Sequence, residues 1–264
     1  MNSNDKFLEG DESNYWNWNG FKIFWSVKGK ENLHPMILLH GFGASSRHWR
    51  NNSYFFAQKG YSVYSIDLIG FGNSAQPGIK DIGKLDNGVW CNQVSDFIKQ
   101  VIRPKTSKKI ILIGNSLGSL VALTCAVYLK NEILSVIASP LPDPLVIKKK
   151  ESELNSIFEK KFRIKLIKIF FRIFPLEIVL FLIIKLGIIK LGLNSAYFKK
   201  DKVDKELINI VSKPVLRKTS ARALRAMCIG MATRGDKLKA SYLLEQLSLS
   251  KKIPFLLLLS LIHI

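Results

Sequence analysis

Along the first half of the chain, short apolar runs alternate with segments whose apolar residues recur every three or four positions. "GFKIFWSV" (20–27) alternates and carries aromatics, which predicts an early strand. "HPMILLHGFG" (34–43) is a continuous apolar run closing on glycines, the form of a central strand leaving a sheet. "SSRHWRNNSYFFAQKG" predicts a helix closed by Gly60, and "YSVYSIDLIGFGNSAQP" (61–77) a strand to Asp67 followed by a glycine turn. A helix over 89–102, a strand over 109–113, a helix over 117–130 and a strand over 133–139 complete the series. Strands alternating with helices in this way predict α/β architecture with a mostly parallel sheet.

The rhythm breaks at "PLPDPLV" (140–146), where three prolines end the strand, and the text to about residue 250 is helical and basic. Within "FRIKLIKIFFRIFPLEIVLFLIIKLGIIKLGL" (162–193) the longest uncharged run is "IVLFLII", well short of a membrane span. Pro175 and the interspersed lysines suggest two amphipathic helices. The plain reading is a helical cap packed over the sheet; the sharper one is a cap that also rests on an anionic membrane surface. Strand character returns at "IPFLLLL" (253–259). The domain organisation expected is a core over 1–140, a basic helical cap over 141–250 and a further core strand over 251–258.

Composition changes this picture little. With 264 residues, 47% of them hydrophobic, the chain can bury a full core. Three cysteines at no metal-ligand spacing suit reduced thiols. The polar, acidic N-terminus lacks a secretory h-region, which argues for an intracellular protein, cytoplasmic or peripheral on an internal membrane. The net charge of +20 favours anionic surfaces, nucleic acid or acidic lipid, although low-GC codon bias also produces lysine. No nucleic-acid reader motif accompanies it, so no nucleic-acid partner is expected.

Candidate chemistry changes it more. Gly114-Asn115-Ser116-Leu117-Gly118 matches G-x-S-x-G, a pattern that chance supplies in about one chain in ten of this size. Its context, a buried strand running in and a helix running out, is more specific. A serine hydroxyl attacks efficiently only from the apex of a sharp, strained turn that a base can reach. His40-Gly41-Phe42-Gly43 closes an earlier strand. Acyl transfer requires preorganised N–H donors for a tetrahedral oxyanion, and the backbone N–H groups of Leu117 and Phe42 are placed to supply them.

On "HGFGASSRHWR", "DLIGFGNSAQP", "GNSLGSLVAL" and the late "IPFLLLL", in that order and spacing, residues 20 to 259 resemble the α/β-hydrolase fold family. "FWSVKG", "VWCNQVSDFI", "GNSLGS" and "SPLPDP" are similar to cyanobacterial and plastid hydrolases related to pheophytinase. The resemblance implies Ser116 as nucleophile, an oxyanion hole at Phe42 and Leu117, and a helical cap inserted after the sixth core strand. His40, Gly41, Gly43, Gly114 and Gly118 would shape the site, and no metal or organic cofactor is needed. The substrate implied is a small apolar carboxylic ester. Epoxide hydrolases and haloalkane dehalogenases share the fold but carry aspartate at the elbow, so serine argues against both. Ser119 replaces the second glycine usual after the nucleophile, which should narrow the turn slightly.

In this family the acid and then the histidine follow the serine. His34, His40 and His48 precede Ser116, and His40 reads as a support for the oxyanion loop. His263 follows a final strand too closely to fold back. The closing "LSLIHI" is what CTG TCT CTT ATA CAC ATC encodes, a run resembling a transposase-end adapter, so 259–264 are expected to be a non-native tail. Asp143 in "SPLPDP" could serve as a relocated acid but reads better as a hinge into the cap. The expectation is therefore a serine hydrolase fragment, itself inactive, with the acid, the histidine and the last strand or strands beyond Leu258. Carbon–carbon or thioester hydrolysis, cofactor-free peroxidation, or non-catalytic lipid or pigment binding are the alternatives. The oligomeric state is open.

Overall fold

Strands covered on both faces must be apolar at consecutive positions, and the runs noted above become strands for that reason. The computed structural model describes residues 12–29, 33–141, 157–197 and 203–258. Its order is β1 (Glu12–Trp18), β2 (Phe21–Lys28), β3 (His34–Leu39), α1 (Arg50–Gln58), β4 (Tyr61–Ile66), α2 (Ile79–Ile82) and α3 (Asn87–Phe97). Then come β5 (Ile110–Asn115), α4 (Leu117–Tyr128) and β6 (Ile133–Ser139). The helical region holds α5 (Ile157–Ile173), α6 (Leu176–Lys185), α7 (Ile188–Ala196), α8 (Lys205–Val215), α9 (Ser220–Thr233) and α10 (Ala240–Ser250), and β7 (Phe255–Leu257) closes it. The described strands form one sheet in the order β1-β2-β4-β3-β5-β6-β7. β2 is antiparallel to β1 and to β4; all pairings from β4 to β7 are parallel.

Strand β1 goes beyond the sequence expectation. "ESNYWNW" is too polar to suggest a strand, but Asn19 and Gly20, at φ 50° and 82°, close a two-residue hairpin turn of the kind Asn-Gly favours. Its tryptophans dock on α3 and the helical turn that continues it, Ile98–Ile102, Trp18 Nε1 donating to Asp96 Oδ2 at 2.9 Å and Trp16 Nε1 to Gln100 Oε1 at 2.9 Å.

The pleat divides the core in two. Ile37, Leu39, Ile110 and Leu112 face α3, α4 and α10, packing with Trp90, Phe97, Leu120 and Leu243. Met36, Leu38 and Ile113 point the other way, toward Trp49 and Ala57. Helix α4 lies in the larger half, and every residue from Leu117 to Ala126 is buried. An all-round apolar helix needs such all-round cover.

Residues 162–193 form three helices where two were expected. Pro175 makes the first break, and Gly187, at φ 67°, makes the second. Helices α8 and α9 are fastened to the 67–77 loop: Arg217 donates to the carbonyls of Gly72 (2.8 Å) and Ser74 (3.0 Å), and Arg222 Nε to that of Gln76 (3.0 Å). The three cysteines are free thiols. No described helix is long and apolar enough to cross a membrane.

Candidate active site

Strand β5 runs into α4 through Ser116, whose backbone is held at φ 52°, ψ −115°. A non-glycine residue there carries strain of ~1–3 kcal/mol and persists only where the surroundings over-determine it. The surroundings are visible. Ser139, at the end of β6, accepts at its carbonyl from the Ser116 N–H (3.1 Å) and from Asn115 Nδ2 (3.0 Å). Its own N–H donates to Ser119 Oγ at 2.8 Å, and that hydroxyl donates to the Gly114 carbonyl at 2.8 Å. Ser119 therefore ties β5, α4 and β6 together in place of the usual glycine, which no spacing argument would reveal. A Cβ on Gly118 would fall on the Leu39 carbonyl oxygen, and one on Gly114 on the Gly118 carbonyl, so both positions must be bare.

The His40–Gly43 loop is brought against this elbow. A methyl group placed on Gly41 would lie 3.3 Å from Ser116 Cβ and 2.9 Å from Asn115 Oδ1. Among the described residues no backbone acceptor takes the Phe42 or the Leu117 N–H, and Leu117 opens α4, where the helix dipole favours negative charge. Gly43 turns the loop at φ 70°.

His40 is fully buried. Its Nδ1 lies 2.8 Å from the Gly41 carbonyl, and Nε2 accepts from the Leu68 N–H at 3.0 Å. These partners fix the neutral tautomer with the proton on Nδ1. Burial pulls its pKa below the ordinary value, outweighing the nearby Asp67 carboxylate and the Gly41 hydrogen bond, which push it up. His34 opens β3, and His48 lies in the 3-10 turn Ser46–Trp49 with Nε2 3.2 Å from the Tyr197 hydroxyl. None of the three is brought to Ser116, and among the described residues no side chain is hydrogen-bonded to its hydroxyl. Asp143 and His263, with the tail 259–264, lie outside the described residues.

Two further groups organise the site without having been singled out in the sequence. Buried Asp67 accepts from the N–H groups of Ser46 and Asn73, each at 2.6 Å, joining the segment after the His40–Gly43 loop to the 67–77 turn. Phe71 stacks edge-on against His40 (5.3 Å between centroids) and Phe42 (5.7 Å). The "DLIGFGNS" stretch, a carboxylate followed by glycines after a strand, was the available signal. Beyond Phe42 a partly open apolar cavity of about 100 Å³ is lined by Phe71, Leu180, Pro214, Leu224 and Met227, so its far wall belongs to α6, α8 and α9. Among the described residues no cluster of His, Cys, Asp and Glu is arranged to hold a metal ion.

Comparison with known proteins agrees with this geometry. Residues 34–159 match the family model described as alpha/beta hydrolase fold. A pimeloyl-[acyl-carrier protein] methyl ester esterase of Aliivibrio fischeri is 28% identical over 121 residues, 45% of this chain and 41% of that protein. Epoxide hydrolase 4 of Mus musculus is 31% identical over 127 residues, 48% of this chain and 33% of that one. The chain spans half or less of the length of the curated relatives it matches. Among solved structures, a thioesterase domain from the curacin biosynthetic pathway superposes with a TM-score of 0.66 at 18% identity, over 94% of this chain and 83% of that one. Strand order, elbow, family match and superposition agree: this chain has the α/β-hydrolase fold.

Proposed function

We propose that Ser116 is the nucleophile of a serine-dependent hydrolase acting on a carboxylic ester with an apolar part. Its Oγ attacks the ester carbonyl carbon, and the N–H groups of Phe42 and Leu117 receive the oxyanion. Collapse of the tetrahedral species expels the alkoxide, which leaves as the alcohol with the serine's proton, and the remaining acyl-enzyme is hydrolysed by water to the acid and free Ser116. The observation that carries this reading is the strained Ser116 backbone with Gly41 pressed against it. Of the two relatives, the ester hydrolase suits a serine elbow better than the epoxide hydrolase, since the aspartate elbow expected of epoxide hydrolases is not present here. The cavity beyond Phe42 is smaller than the ~300–1,000 Å³ pockets that enclose drug-sized ligands. It fits a short apolar group; a tetrapyrrole ester of the pheophytinase kind would require the cap to part from the 67–77 loop.

The remaining element of this chemistry is proton transfer. His40 has both ring nitrogens committed, and among the described residues no side chain is hydrogen-bonded to the Ser116 hydroxyl. The 264-residue chain is therefore expected to turn over p-nitrophenyl acetate no faster than its Ser116→Ala variant. Added imidazole, a diffusible base, should allow a fluorophosphonate to modify Ser116, as mapped by peptide mass spectrometry. Modification of other serines only, with Ser116 untouched, would count against the nucleophile assignment.

A further inference from the structure

Helix α5 is apolar on two opposite sides. Ile164, Ile167, Phe171 and Phe174 are half-buried on the side next to α9, where Arg225 donates to the carbonyls of Phe171 (2.7 Å) and Phe174 (3.0 Å). At ~3.6 residues per turn, Phe162, Leu166, Phe170 and Ile173 fall on the opposite side, and all four are exposed, Ile173 by 77%. Helix α6 repeats the arrangement. It also packs on α9, and Ile178, Phe181, Leu182 and Leu186 recur at helical spacing in solvent. Each outward face is thus turned away from α9.

Charge borders this apolar surface in a particular way. Lys165, Lys168 and Arg172 form a stripe along one flank of α5, with Arg163 on the other. The stripe lines a groove of about 780 Å³ that also takes in Ile79, Lys84 and Ile229. Among the described residues no acid pairs with Lys165, Lys168 or Arg172, and the one acid between 162 and 197, Glu177, is held by Arg225 at 2.9 Å. An exposed apolar face bordered by long cationic side chains is the form of a helix lying in a lipid interface, its lysines reaching back to the headgroups.

We propose that the outward faces of α5 and α6 dock on an anionic phospholipid bilayer, with Lys165, Lys168 and Arg172 meeting the headgroups. A second copy of the chain would set the same cationic flanks against each other in a two-fold interface, which their mutual repulsion opposes. The proposal does not depend on the role of Ser116.

The test is flotation of the full chain with vesicles of phosphatidylcholine alone or mixed with phosphatidylserine. Binding should be confined to the mixed vesicles and fade between ~0.1 M and ~1 M salt, as the Debye length falls from ~10 Å to ~3 Å. Lys165→Glu with Lys168→Glu should lower binding roughly tenfold or more, and Phe170→Glu with Ile173→Glu should do likewise. Circular dichroism should be unchanged in both and the melting midpoint nearly so, because the altered side chains are exposed and only Phe170 gives up ring contacts, with Phe171 and Phe174. Equal binding to both vesicle types, or binding by both variants at the wild-type level, would overturn the proposal. So would a dimer that Phe170→Glu converts to monomer, since a second copy would then cover the face.

Discussion

Helix α4, behind the elbow, and helix α5, in the cap, are both rich in apolar side chains, and they meet opposite fates. In α4, Leu120, Val121 and Leu123 have no exposure at all, because the sheet, α3 and α10 enclose the helix. In α5 comparable side chains stand in solvent, because α9 covers a single face. Hydrophobic content therefore does not decide burial; the number of covered sides does. The sequence carries the difference in its charges. "LGSLVALTCAV" has none, whereas "FRIKLIKIFFRI" has a cation every two to four positions.

The contrast is broken most severely at Gly118. A Cβ there meets the Leu39 carbonyl oxygen, a backbone atom of a central strand that cannot move aside. Gly118→Ala should cost ~3 kcal/mol, the upper end of overpacking penalties, and lower the melting midpoint by roughly 6–12 °C. The same substitution at Gly192 in α7, where the added methyl meets open space, should be neutral or slightly stabilising. A thermal melt of the two variants side by side makes the comparison, and equal midpoints would refute it.

Ser119→Ala comes next. It leaves the Ser139 N–H without its acceptor, a loss of ~1–3 kcal/mol. Ser119→Gly restores the residue common in the family, yet it should lose as much, because the hydroxyl and not the small size holds β6 to the elbow. A glycine variant as stable as the parent in urea denaturation would show the strap to be dispensable.

A titration separates the regions more gently. His40 is held neutral in the fold with its pKa lowered chiefly by burial, and burial likewise lowers that of His48. In the unfolded chain both titrate near ~6.5. Because the folded values lie below the unfolded ones, stability is complete above pH ~6.5 and declines as pH falls through the folded values. The midpoint should drop on acidification in that window. A midpoint that rises instead would mean that the histidines are charged in the fold.

How much of this was legible follows from the same physics. Parallel strands covered on both faces show as apolar runs, unbroken over Met36–Leu39 and Ile110–Ile113 and interrupted only by serines in β4 and β6, so β3, β4, β5 and β6 were readable within a residue or two. β1 was not, since its aromatic and asparagine alternation carries little hydropathy; the Asn19-Gly20 turn was the cue. The break at Gly187 was hidden because a lone glycine in a helical pattern is often tolerated. At the site, the glycine spacings marked the turns. The Ser139–Ser119 and Ser46–Asp67 bonds join residues 20 and 21 apart, and no local pattern encodes them.

The smallest expected effect is also the most direct test of the comparison. Leu166→Ala removes a large side chain from the outward face of α5, where half of its surface is already in water. Little burial is lost, no cavity forms, and alanine is the better helix former, so stability should move by no more than ~0.5 kcal/mol. Leu120→Ala makes the identical chemical change in α4, where the side chain is wholly enclosed, and should cost ~2–5 kcal/mol through lost transfer energy and the cavity left behind. The two midpoints in urea, read at equal slope, give the difference directly. A cost at Leu166 approaching that at Leu120 would mean that the outward face is covered in solution, and that α5, like α4, is enclosed on all sides.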